Sequence, residues 1–360
     1  MNFEPSFKIC GHFGTCGGCT VQDLPHADYR NWKHESVEKP LRQQNIVVNL
    51  DDIIFCVPAS RRRVTMSFSK NRGEVTLGFH GYRSNDILSV TECLVAKTEI
   101  VEALPDLRAL LKNVAPQKAE GKVTLLTSDS GLDISIRDVK PPTMEARTAL
   151  IQSAASLNAA RISVNGDILA EFRAPQLQMG KARVTPPPGG FVQAVKQAED
   201  ALAHEVVTAL KKYKCKSAVD LFSGCGAFTF RMAEHCRVHA AEGDAASVRA
   251  LEQAAKHTQG LKPITAEKRD LFRRPLVPLE LKNYDAVVLD PPWQGATAQI
   301  AQLSKSNVPL IIYVSCSPGS FARDAAALRD SGYSVQKLTA IDQFLWSEHI
   351  ELIAIFTKAR

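Results

Sequence analysis

The pattern of hydrophobic and polar positions changes near the middle of the 360-residue chain. In the first half, short segments alternate apolar and polar residues, which is typical of strands with one buried face. Two pairs of these segments flank turn-like sequences, residues 128–131 and Asn165-Gly166, that favour tight hairpins. The strand-like segments are residues 123–126, 132–136, 161–164 and 167–172. We therefore predict a small domain rich in antiparallel strands over about residues 56–184.

A segment of three prolines and two glycines, residues 186–190, ends this half of the chain because such residues interrupt regular structure. Beyond it, apolar residues recur every four positions from Ala198 to Leu210, as on one face of a helix. Strand-like apolar runs then alternate with helical patterns at 246–257 and 321–329. The runs are residues 218–222, 238–242, 286–289 and 310–314. This alternation predicts an α/β fold with a parallel sheet and helices on both faces.

Two more strand-like runs, residues 333–338 and 350–356, predict a terminal antiparallel hairpin on that sheet. We expect three segments along the chain. A cysteine-containing segment and the start of the strand-rich domain occupy residues 1–95, and the rest of that domain occupies 96–188. The α/β domain occupies 189–360.

Composition and charge exclude several classes of protein. Hydrophobic residues make up 45% and charged residues 23% of the chain, as in an ordinary globular protein, and the net charge is +6. The positive charge suits a polyanionic partner but does not identify one. No apolar run approaches the roughly 18 residues of a membrane helix, and the first nine residues lack a signal-peptide core. We therefore expect a cytoplasmic location, no membrane association and reduced cysteines.

The first strand-like run of the α/β domain leads into a glycine-rich turn. Glycines at such a position let the backbone turn sharply and approach a ligand closely. The candidate ligand contacts in the turn are Asp220, Phe222, Gly224 and Gly226. Glu242 ends the next strand-like run, where an acidic residue binds ribose hydroxyls, and Asp270 follows at a position suited to an adenine edge. The turn lacks the full Gly-x-Gly-x-x-Gly pattern, which favours S-adenosylmethionine over a dinucleotide.

Two later runs end in residues that suit methyl transfer to a pyrimidine ring. Asp290 follows one strand and Cys316 follows the next, at the edge of a parallel sheet where ligands bind. Carbon-5 of uracil becomes nucleophilic when a thiolate adds to carbon-6, and a base must later remove the carbon-5 proton. Cys316 is flanked by Ser315, Ser317 and Pro318, which favour a loop position over the buried position common for cysteine.

The base is not identified by the pattern of residues alone. Four candidates lie in or near the terminal hairpin, namely Asp342, Glu348, His349 and Glu351. Strand alternation places Glu351 on the opposite face from Ile350, yet each of the four also suits a solvated position at a strand entrance.

Taken together, these motifs resemble the RNA uracil-C5 methyltransferases, which include bacterial enzymes acting on tRNA and 23S rRNA. The resemblance is carried by Asp-Leu-Phe-Ser-Gly-Cys-Gly, Asp-Pro-Pro, Tyr-Val-Ser-Cys-Ser-Pro followed by Ala-Arg-Asp, and the terminal His-Ile-Glu. It implies a Rossmann-like class I methyltransferase domain and S-adenosylmethionine as methyl donor. It also implies Cys316 as nucleophile and Glu351 as base.

The same resemblance assigns the remaining site residues. Asp290 is expected to contact the substrate or the reacting centre as well as the cofactor, and Gln193 matches a cofactor-binding glutamine. Glu242 and Asp270 match the ribose and adenine contacts. Two positions depart from the family pattern, since Trp293 replaces the usual Arg and Val195 the usual Asn. Both departures are expected to affect substrate positioning.

Three cysteines near the start of the sequence, Cys10, Cys16 and Cys19, have the close spacing of metal ligands. Candidates for a fourth ligand are Cys93, Cys56 and His12. The spacing alone does not separate zinc from an iron–sulfur cluster, although zinc ribbons more often show a second close pair. The family resemblance implies Cys93 as the fourth ligand and a [4Fe-4S] cluster that ties the N-terminal segment to the strand-rich domain.

A basic stretch with interleaved aromatic residues suggests an RNA-binding face in the strand-rich domain. Its members are Arg61, Arg62, Arg63, Lys70, Arg72, Arg83, Phe68, Phe79 and Tyr82. A solvated strand face with core aromatics explains the same residues. A uracil inside a helix must be extruded to reach Cys316, so loops and bulges are the expected targets.

We predict a monomeric enzyme that methylates carbon-5 of a uridine in RNA, with 23S rRNA favoured over tRNA. The family's N-terminal β-barrel is not expected here, since only nine residues precede Cys10, and this favours rRNA. The alternatives are an RNA cytosine-C5 methyltransferase, an amino-group methyltransferase suggested by Asp-Pro-Pro-Trp, and a catalytically inactive iron–sulfur RNA-binding protein. A cytosine enzyme usually carries a second cysteine where this chain has Pro292 and Trp293.

Overall fold

The computed structural model of the protein describes residues 9–117 and 119–358. These residues form two large β-sheets, one of seven strands and one of eight, and a two-stranded ribbon lies between them in sequence. Of the helices in the described residues, none has both the length and the apolar character needed to cross a membrane.

The seven-stranded sheet forms the strand-rich part of the chain. Its strands are β2 (Arg63–Asn71), β3 (Glu74–His80), β4 (Ile87–Ser89), β5 (Gly121–Ser128), β6 (Gly131–Arg137), β7 (Ala159–Val164) and β8 (Asp167–Glu171). Their order across the sheet is β4-β3-β2-β5-β6-β7-β8. Neighbours are antiparallel except β6 and β7, which run parallel. The helices of this part are α2 (Thr98–Glu102), α3 (Leu104–Leu111) and α4 (Met144–Ser156). The two predicted hairpins are confirmed.

The eight-stranded sheet contains all the runs predicted for the α/β domain. Its strands are β1 (Ile54–Phe55), β11 (Ser217–Leu221), β12 (Arg237–Glu242), β13 (Ile264–Lys268), β14 (Ala286–Leu289), β15 (Leu310–Ser315), β16 (Tyr333–Asp342) and β17 (Glu351–Lys358). The order is β1-β16-β17-β15-β14-β11-β12-β13. Strand β17 is antiparallel to both of its neighbours, whereas the other pairs are parallel. The parallel sheet and its terminal hairpin are confirmed.

Helices cover both faces of this sheet. They are α1 (His26–Gln43), α5 (Lys196–Lys212), α6 (Thr229–Ala233), α7 (Ala245–His257), α8 (Pro278–Leu281), α9 (Thr297–Leu303) and α10 (Pro318–Asp330). Successive residues of a strand point to opposite faces, and Val287 and Ile311 accordingly pack in a core with α1, α9 and α10. Val288 and Ile312 pack in a second core with α5 and α6. Because both faces are buried, these strands are continuous apolar runs.

Helix α1 and strand β1 join the α/β sheet although they precede the strand-rich part in sequence. Strand β1 pairs with β16 in parallel, and Val37 and Leu41 of α1 are buried in the sheet's core. The sequence pattern does not predict α1. Between the two sheets, β9 (Leu177–Met179) and β10 (Ala182–Val184) form the ribbon, and residues 186–190 have no regular structure, as predicted.

Candidate active site

A cavity of about 630 Å³ opens at the carboxyl ends of β11, β12, β14 and β15. Parallel strands place their carboxyl ends at one edge of a sheet, and ligands bind there in open α/β folds. The predicted site residues that line this cavity are Gln193, Phe222, Gly224, Glu242, Asp270, Asp290, Cys316 and Glu351. Asp220 and Gly226 are not among the lining residues. The roles assigned to these residues from sequence remain predictions.

The glycine-rich turn after β11 is held in a conformation that depends on its glycines. Gly224 and Gly226 have φ angles of 55° and 103°, in the left-handed region that favours glycine. A Cβ on Gly226 would lie 2.5 Å from the ring of Phe230. The amide N–H of Gly224 donates to Oε2 of Glu242 at 2.9 Å, and the amide N–H of Asp244 donates to Oε1 of Glu242 at 2.7 Å. Glu242 therefore braces the turn in addition to lining the cavity.

Asp220 lies beneath the turn. Its side chain is fully buried, and Thr229 Oγ1 donates to Asp220 Oδ2 at 2.5 Å. Burial is the main reason why its pKa is raised to about 7. Among the described residues, Oδ1 of Asp220 has no hydrogen-bond partner. The geometry therefore favours support of the turn by Asp220 over direct contact with a ligand in the cavity.

Asp270 is exposed at the mouth of the cavity and caps its own turn. Its Oδ1 accepts hydrogen bonds from the amide N–H groups of Phe272 and Arg273, at 3.1 and 3.2 Å. The ring of Phe272 packs against Phe222 with 5.4 Å between centroids. Both rings line the cavity, so the apolar wall beside Asp270 includes Phe272, a residue that no sequence motif singled out.

A chain of hydrogen bonds joins the two acidic residues of the cavity. Gln193 Nε2 donates to Asp290 Oδ2 at 2.9 Å. Gln343 Nε2 donates to Gln193 Oε1 at 3.1 Å and to Glu351 Oε2 at 2.7 Å. The two glutamines and Glu351 are at most 4% exposed. Sequence reasoning missed Gln343, whose only signal is its position directly after β16.

Burial and the neighbouring negative charges raise the pKa of the Cys316 thiol. Burial, followed by the negative charges of Glu351 and Asp290, raises the pKa of the Cys316 thiol from 9.0 to about 12. Burial also raises the pKa of Asp290 to about 7. Burial and the neighbouring Asp290 raise the pKa of Glu351 well above its ordinary value. A half-buried thiol thus lies near two carboxyl groups that hold protons more tightly than exposed ones do.

The hairpin that carries Glu351 is anchored to helix α1. Lys33 Nζ donates to Asp342 Oδ1 at 2.9 Å and to the carbonyl oxygen of His349 at 2.6 Å. Tyr29 also bonds to the carboxylate of Asp342, and the side chains of Lys33 and Asp342 are fully buried. The carboxylate of Asp342 is therefore held in a buried ion pair with Lys33 of helix α1.

The other candidates for the base are separated by position. Glu348 and His349 line a second cavity, described below, and Glu351 is the member of the four that lines the cavity of Cys316. This geometry supports Glu351 over the other three.

The second cavity, of about 520 Å³, is lined by the four cysteines predicted to bind a cluster: Cys10, Cys16, Cys19 and Cys93. Burial is the main cause of raised pKa values for the thiols of Cys16 and Cys19, and the neighbouring cysteines add to it. Cys56 is buried in a different core, and the ring of His12 bonds to Thr91. In residues 9–117 and 119–358, no three His, Cys, Asp or Glu side chains converge closely enough to hold a metal ion.

The two cavities share a wall made of Arg61, Arg63 and Phe344. The guanidinium of Arg61 lies over the ring of Phe344 at 5.5 Å, and that of Arg63 over Phe191 at 5.6 Å. Arg63 Nε donates to the carbonyl oxygen of Gly190 at 3.1 Å. These cations therefore join segments of the chain around the site.

Two members of the predicted basic stretch, Arg62 and Phe68, lie inside the fold, and the burial of Phe68 agrees with the alternative of a strand face with core aromatics. Arg62 is 4% exposed and forms an ion pair with Glu199 at 2.5 Å. Phe68 is fully buried in the core of the seven-stranded sheet because strand alternation turns it inward. Tyr82 remains on the surface at 48% exposure, with Arg83 over its ring at 5.1 Å.

Trp293, one of the two departures from the family pattern, is 66% exposed at the cavity and its carbonyl accepts a hydrogen bond from Ser320 Oγ at 2.9 Å. Val195 is 1% exposed and precedes α5, where it packs in the core beneath that helix. The first departure therefore alters the surface of the site and the second alters its support.

Comparison with known proteins identifies related chains. The sequence profile of the tRNA (uracil-5-)-methyltransferase family matches residues 160–359. An uncharacterized RNA methyltransferase of Agrobacterium fabrum is 42% identical, over 97% of this chain and 85% of that protein. The 23S rRNA (uracil(1939)-C(5))-methyltransferase RlmD of Pseudomonas savastanoi pv. phaseolicola is 29% identical, over 98% and 80%.

Among solved structures, the chain resembles the tRNA (uracil-54, C5)-methyltransferase of Pyrococcus abyssi in complex with S-adenosyl-L-homocysteine. The TM-score is 0.75 at 20% identity, and the match covers 95% of this chain and 85% of the other. At this identity the likeness establishes the fold, and it agrees with the α/β architecture and strand-rich part described above.

Proposed function

The chain belongs to the tRNA (uracil-5-)-methyltransferase family, and on that premise we propose that it transfers a methyl group from S-adenosylmethionine to carbon-5 of a uridine in RNA. The observation that carries the proposal is the cavity in which Cys316, Asp290 and Glu351 meet the glycine-rich turn after β11. A thiol with two nearby carboxyl groups supplies the nucleophile and base that uracil C5 methylation needs. Amino-group methylation would leave both Cys316 and Glu351 without a role.

In the proposed reaction, the Cys316 thiol loses its proton to water as Sγ adds to carbon-6 of the uracil, and the resulting enolate is nucleophilic at carbon-5; the sulfur regains a proton after it leaves. S-adenosylmethionine, when bound, supplies the methyl group to carbon-5. Glu351 then removes the carbon-5 proton, the carbon-5 to carbon-6 double bond re-forms, and the sulfur leaves. Asp290, held by Gln193 at 2.9 Å, lies beside the reacting sulfur, where its charge acts on the thiol.

The residues proposed to bind S-adenosylmethionine are Gln193, Phe222, Gly224, Glu242, Asp270 and Asp290, with Asp220 and Gly226 supporting the turn. The arrangement fits a nucleoside-type ligand because an apolar aromatic wall, Phe222 and Phe272, lies beside exposed carboxylates on the same cavity. Such a combination suits an adenine ring with its attached ribose.

The test uses RNA that contains 5-fluorouridine. Its carbon-5 carries fluorine in place of the hydrogen that the base must remove, so the covalent adduct cannot break down. We expect the wild-type protein to form a denaturation-resistant adduct in the presence of S-adenosylmethionine, and Cys316→Ala to form none. In cells, deletion of the gene should remove a specific 5-methyluridine that wild type restores and Cys316→Ala does not. Restoration of the modification by Cys316→Ala would sink the mechanism.

We further propose 23S rRNA as the substrate. The similarity to RlmD extends along almost the whole chain, whereas the family description and the Pyrococcus abyssi protein point to tRNA. Methylation of purified 23S rRNA and of tRNA from the deletion strain, measured side by side, separates the two. Incorporation into tRNA alone would contradict the rRNA assignment.

The four cysteines of the second cavity are proposed to hold a [4Fe-4S] cluster, which would tie the segment of Cys10, Cys16 and Cys19 to Cys93. The donor set fits, since all four thiols reach one cavity, and ligation requires them to move closer together. Anaerobic purification should yield about four irons per chain, with broad absorbance in the visible range. Cys93→Ser should lower the iron content, and stoichiometric zinc in its place would contradict the assignment.

A further inference from the structure

We infer that Gln343 is a positioning residue for the final proton transfer: its side-chain carbonyl accepts the hydrogen bond of Glu351 once Glu351 has taken the carbon-5 proton. The inference rests on the proposed function, in which Glu351 is the base. It concerns a residue outside all the sequence motifs.

A buried acceptor, Gln343 Oε1, lies on the amide that contacts Glu351 and has no hydrogen-bond partner in the part of the chain that the structure describes. Gln343 is 2% exposed and lines the cavity. Its Nε2 donates both hydrogens, to Gln193 Oε1 at 3.1 Å and to Glu351 Oε2 at 2.7 Å. Its Oε1 is buried and, among the described residues, has no hydrogen-bond partner. Buried acceptors in folded proteins are normally paired, so this oxygen is available to a group that becomes a hydrogen-bond donor during the reaction.

The orientation of the amide follows from the network. Gln193 donates through Nε2 to Asp290, so Gln193 presents its oxygen to Gln343. Gln343 must therefore present nitrogen to that oxygen, and exchange of its two amide atoms would bring two oxygens together. The unpaired atom is thus the oxygen, on the same amide group that already contacts Glu351.

This arrangement suits the protonated form of Glu351. As a carboxylate, Glu351 only accepts hydrogen bonds, and Gln343 Nε2 provides one. When the carbon-5 to hydrogen bond breaks, the proton goes to Glu351, its electron pair forms the carbon-5 to carbon-6 double bond, and the bond from carbon-6 to Cys316 Sγ breaks. Glu351 then has an O–H that needs an acceptor, and a carboxamide beside a carboxylic acid forms two hydrogen bonds, N–H to C=O and O–H to C=O.

The test is Gln343→Met, which keeps the length of the side chain and removes both polar groups. With ordinary uridine RNA, we expect turnover to slow roughly 10- to 100-fold, as for loss of one hydrogen bond to a catalytic acid. The methylated adduct with Cys316 should then accumulate, because the step that releases it is the slow one. Deuterium at carbon-5 should increase the accumulation further. Wild type should show neither effect.

Gln299→Met is the matched control, since Gln299 is also fully buried and makes two amide hydrogen bonds, to the backbone of Leu276 at 2.8 and 3.0 Å. It lies outside the cavity and should cause no accumulation. Gln343→Asn is the second variant if Gln343→Met does not fold. Its shorter amide cannot reach Glu351 in the same way, and the adduct should accumulate with it as well.

Formation of the 5-fluorouridine adduct separates the possible outcomes. If Gln343→Met slows this adduct as much as it slows turnover, and no uridine adduct accumulates, Gln343 acts before proton removal and the inference is wrong. If wild type itself forms no 5-fluorouridine adduct, the proposed function fails, and the inference fails with it.

Discussion

The reactivity of Cys316 offers a direct test of the electrostatics of the site. At about pH 9, a thiol with a pKa of 9.0 is half ionised, whereas one with a pKa of about 12 is ionised in about one molecule in a thousand. Only the thiolate reacts with alkylating agents. Cys316 in the protein without substrate should therefore react several hundredfold more slowly than an ordinary exposed thiol.

The perturbation is Glu351→Gln, which removes one of the two negative charges that raise the pKa of Cys316. Because burial is the larger cause and remains, the pKa should fall without reaching 9.0. Each unit of decrease gives a tenfold faster reaction. The variant should therefore be alkylated faster than wild type, by less than the several hundredfold that a full return would give.

The assay is iodoacetamide labelling over a series of times, with the extent of modification at each cysteine read by peptide mass spectrometry. Cys215 serves as an internal reference. It is half-buried as well, and burial together with Asp285 raises its pKa to about 12. Since Asp285 is unchanged by Glu351→Gln, the rate at Cys215 should stay constant. The ratio of the two rates then corrects for differences in reagent and temperature.

Two results would refute the reasoning. One is a wild-type Cys316 that reacts as fast as an unburied thiol, which would mean that its environment does not suppress ionisation. The other is a Glu351→Gln variant in which the ratio of Cys316 to Cys215 labelling is unchanged or lower. A pH series gives the apparent pKa of Cys316 in both proteins and locates the error in either case.

Two further predictions concern stability. Asp220 has a pKa raised from 3.8 to about 7 in the folded protein, so the folded state binds its proton more tightly than the unfolded state and stability falls as pH rises between these values. Asp220→Asn should make the free energy of unfolding less dependent on pH, by up to about 4 kcal/mol across this range. An equal change in the free energy of unfolding between pH 5 and pH 8 for both proteins, measured with urea, would contradict this. Lys33→Met leaves the buried Asp342 without its cation and should cost about 3–5 kcal/mol in urea unfolding. Arg42→Met, at an exposed ion pair on the same helix, should change little, and equal losses in the two variants would argue against the buried pair.

Much of the α/β domain can be predicted from sequence because its strands are buried on both faces. The runs around Val287 and Ile311 are apolar without interruption. A segment with one face in solvent would alternate apolar and polar residues, so an uninterrupted run indicates burial on both faces. The glycine-rich turn is similarly predictable, since the φ of 103° at Gly226 and the contact with Phe230 admit no side chain.

Helix α1 could not be predicted in the same way. Its sequence is mostly polar and contains Pro40, and only a few positions such as Val37 and Leu41 carry an apolar signal. Lys33 resembles an ordinary surface lysine in sequence. Its burial depends on Asp342, which lies 309 residues further along the chain.

The sequence pattern could not separate the candidates for the base, because their positions depend on how β16 pairs with β17. Ile341 lies opposite Glu351, so these two side chains share a face, and Asp342, one position further, points to the other face. Asp342 therefore forms a buried ion pair with Lys33, whereas Glu351, on the other face of the sheet, lines the cavity. Gln343 could not be found either, because its role depends on Gln193, 150 residues away.

Strand β17 occupies an interior position of its sheet, between β15 and β16, and this position has a consequence for synthesis. The ribosome makes chains from the N-terminus, so β17 is the last of the described strands to emerge. Until then, β15 and β16 have no strand between them, and their backbone groups on that side lack the partners that β17 later supplies. Cys316 is already made at that stage but Glu351 is not. A partly synthesised chain therefore has the nucleophile without the base that releases it from RNA, and the complete site forms only when β17 pairs with β15 and β16.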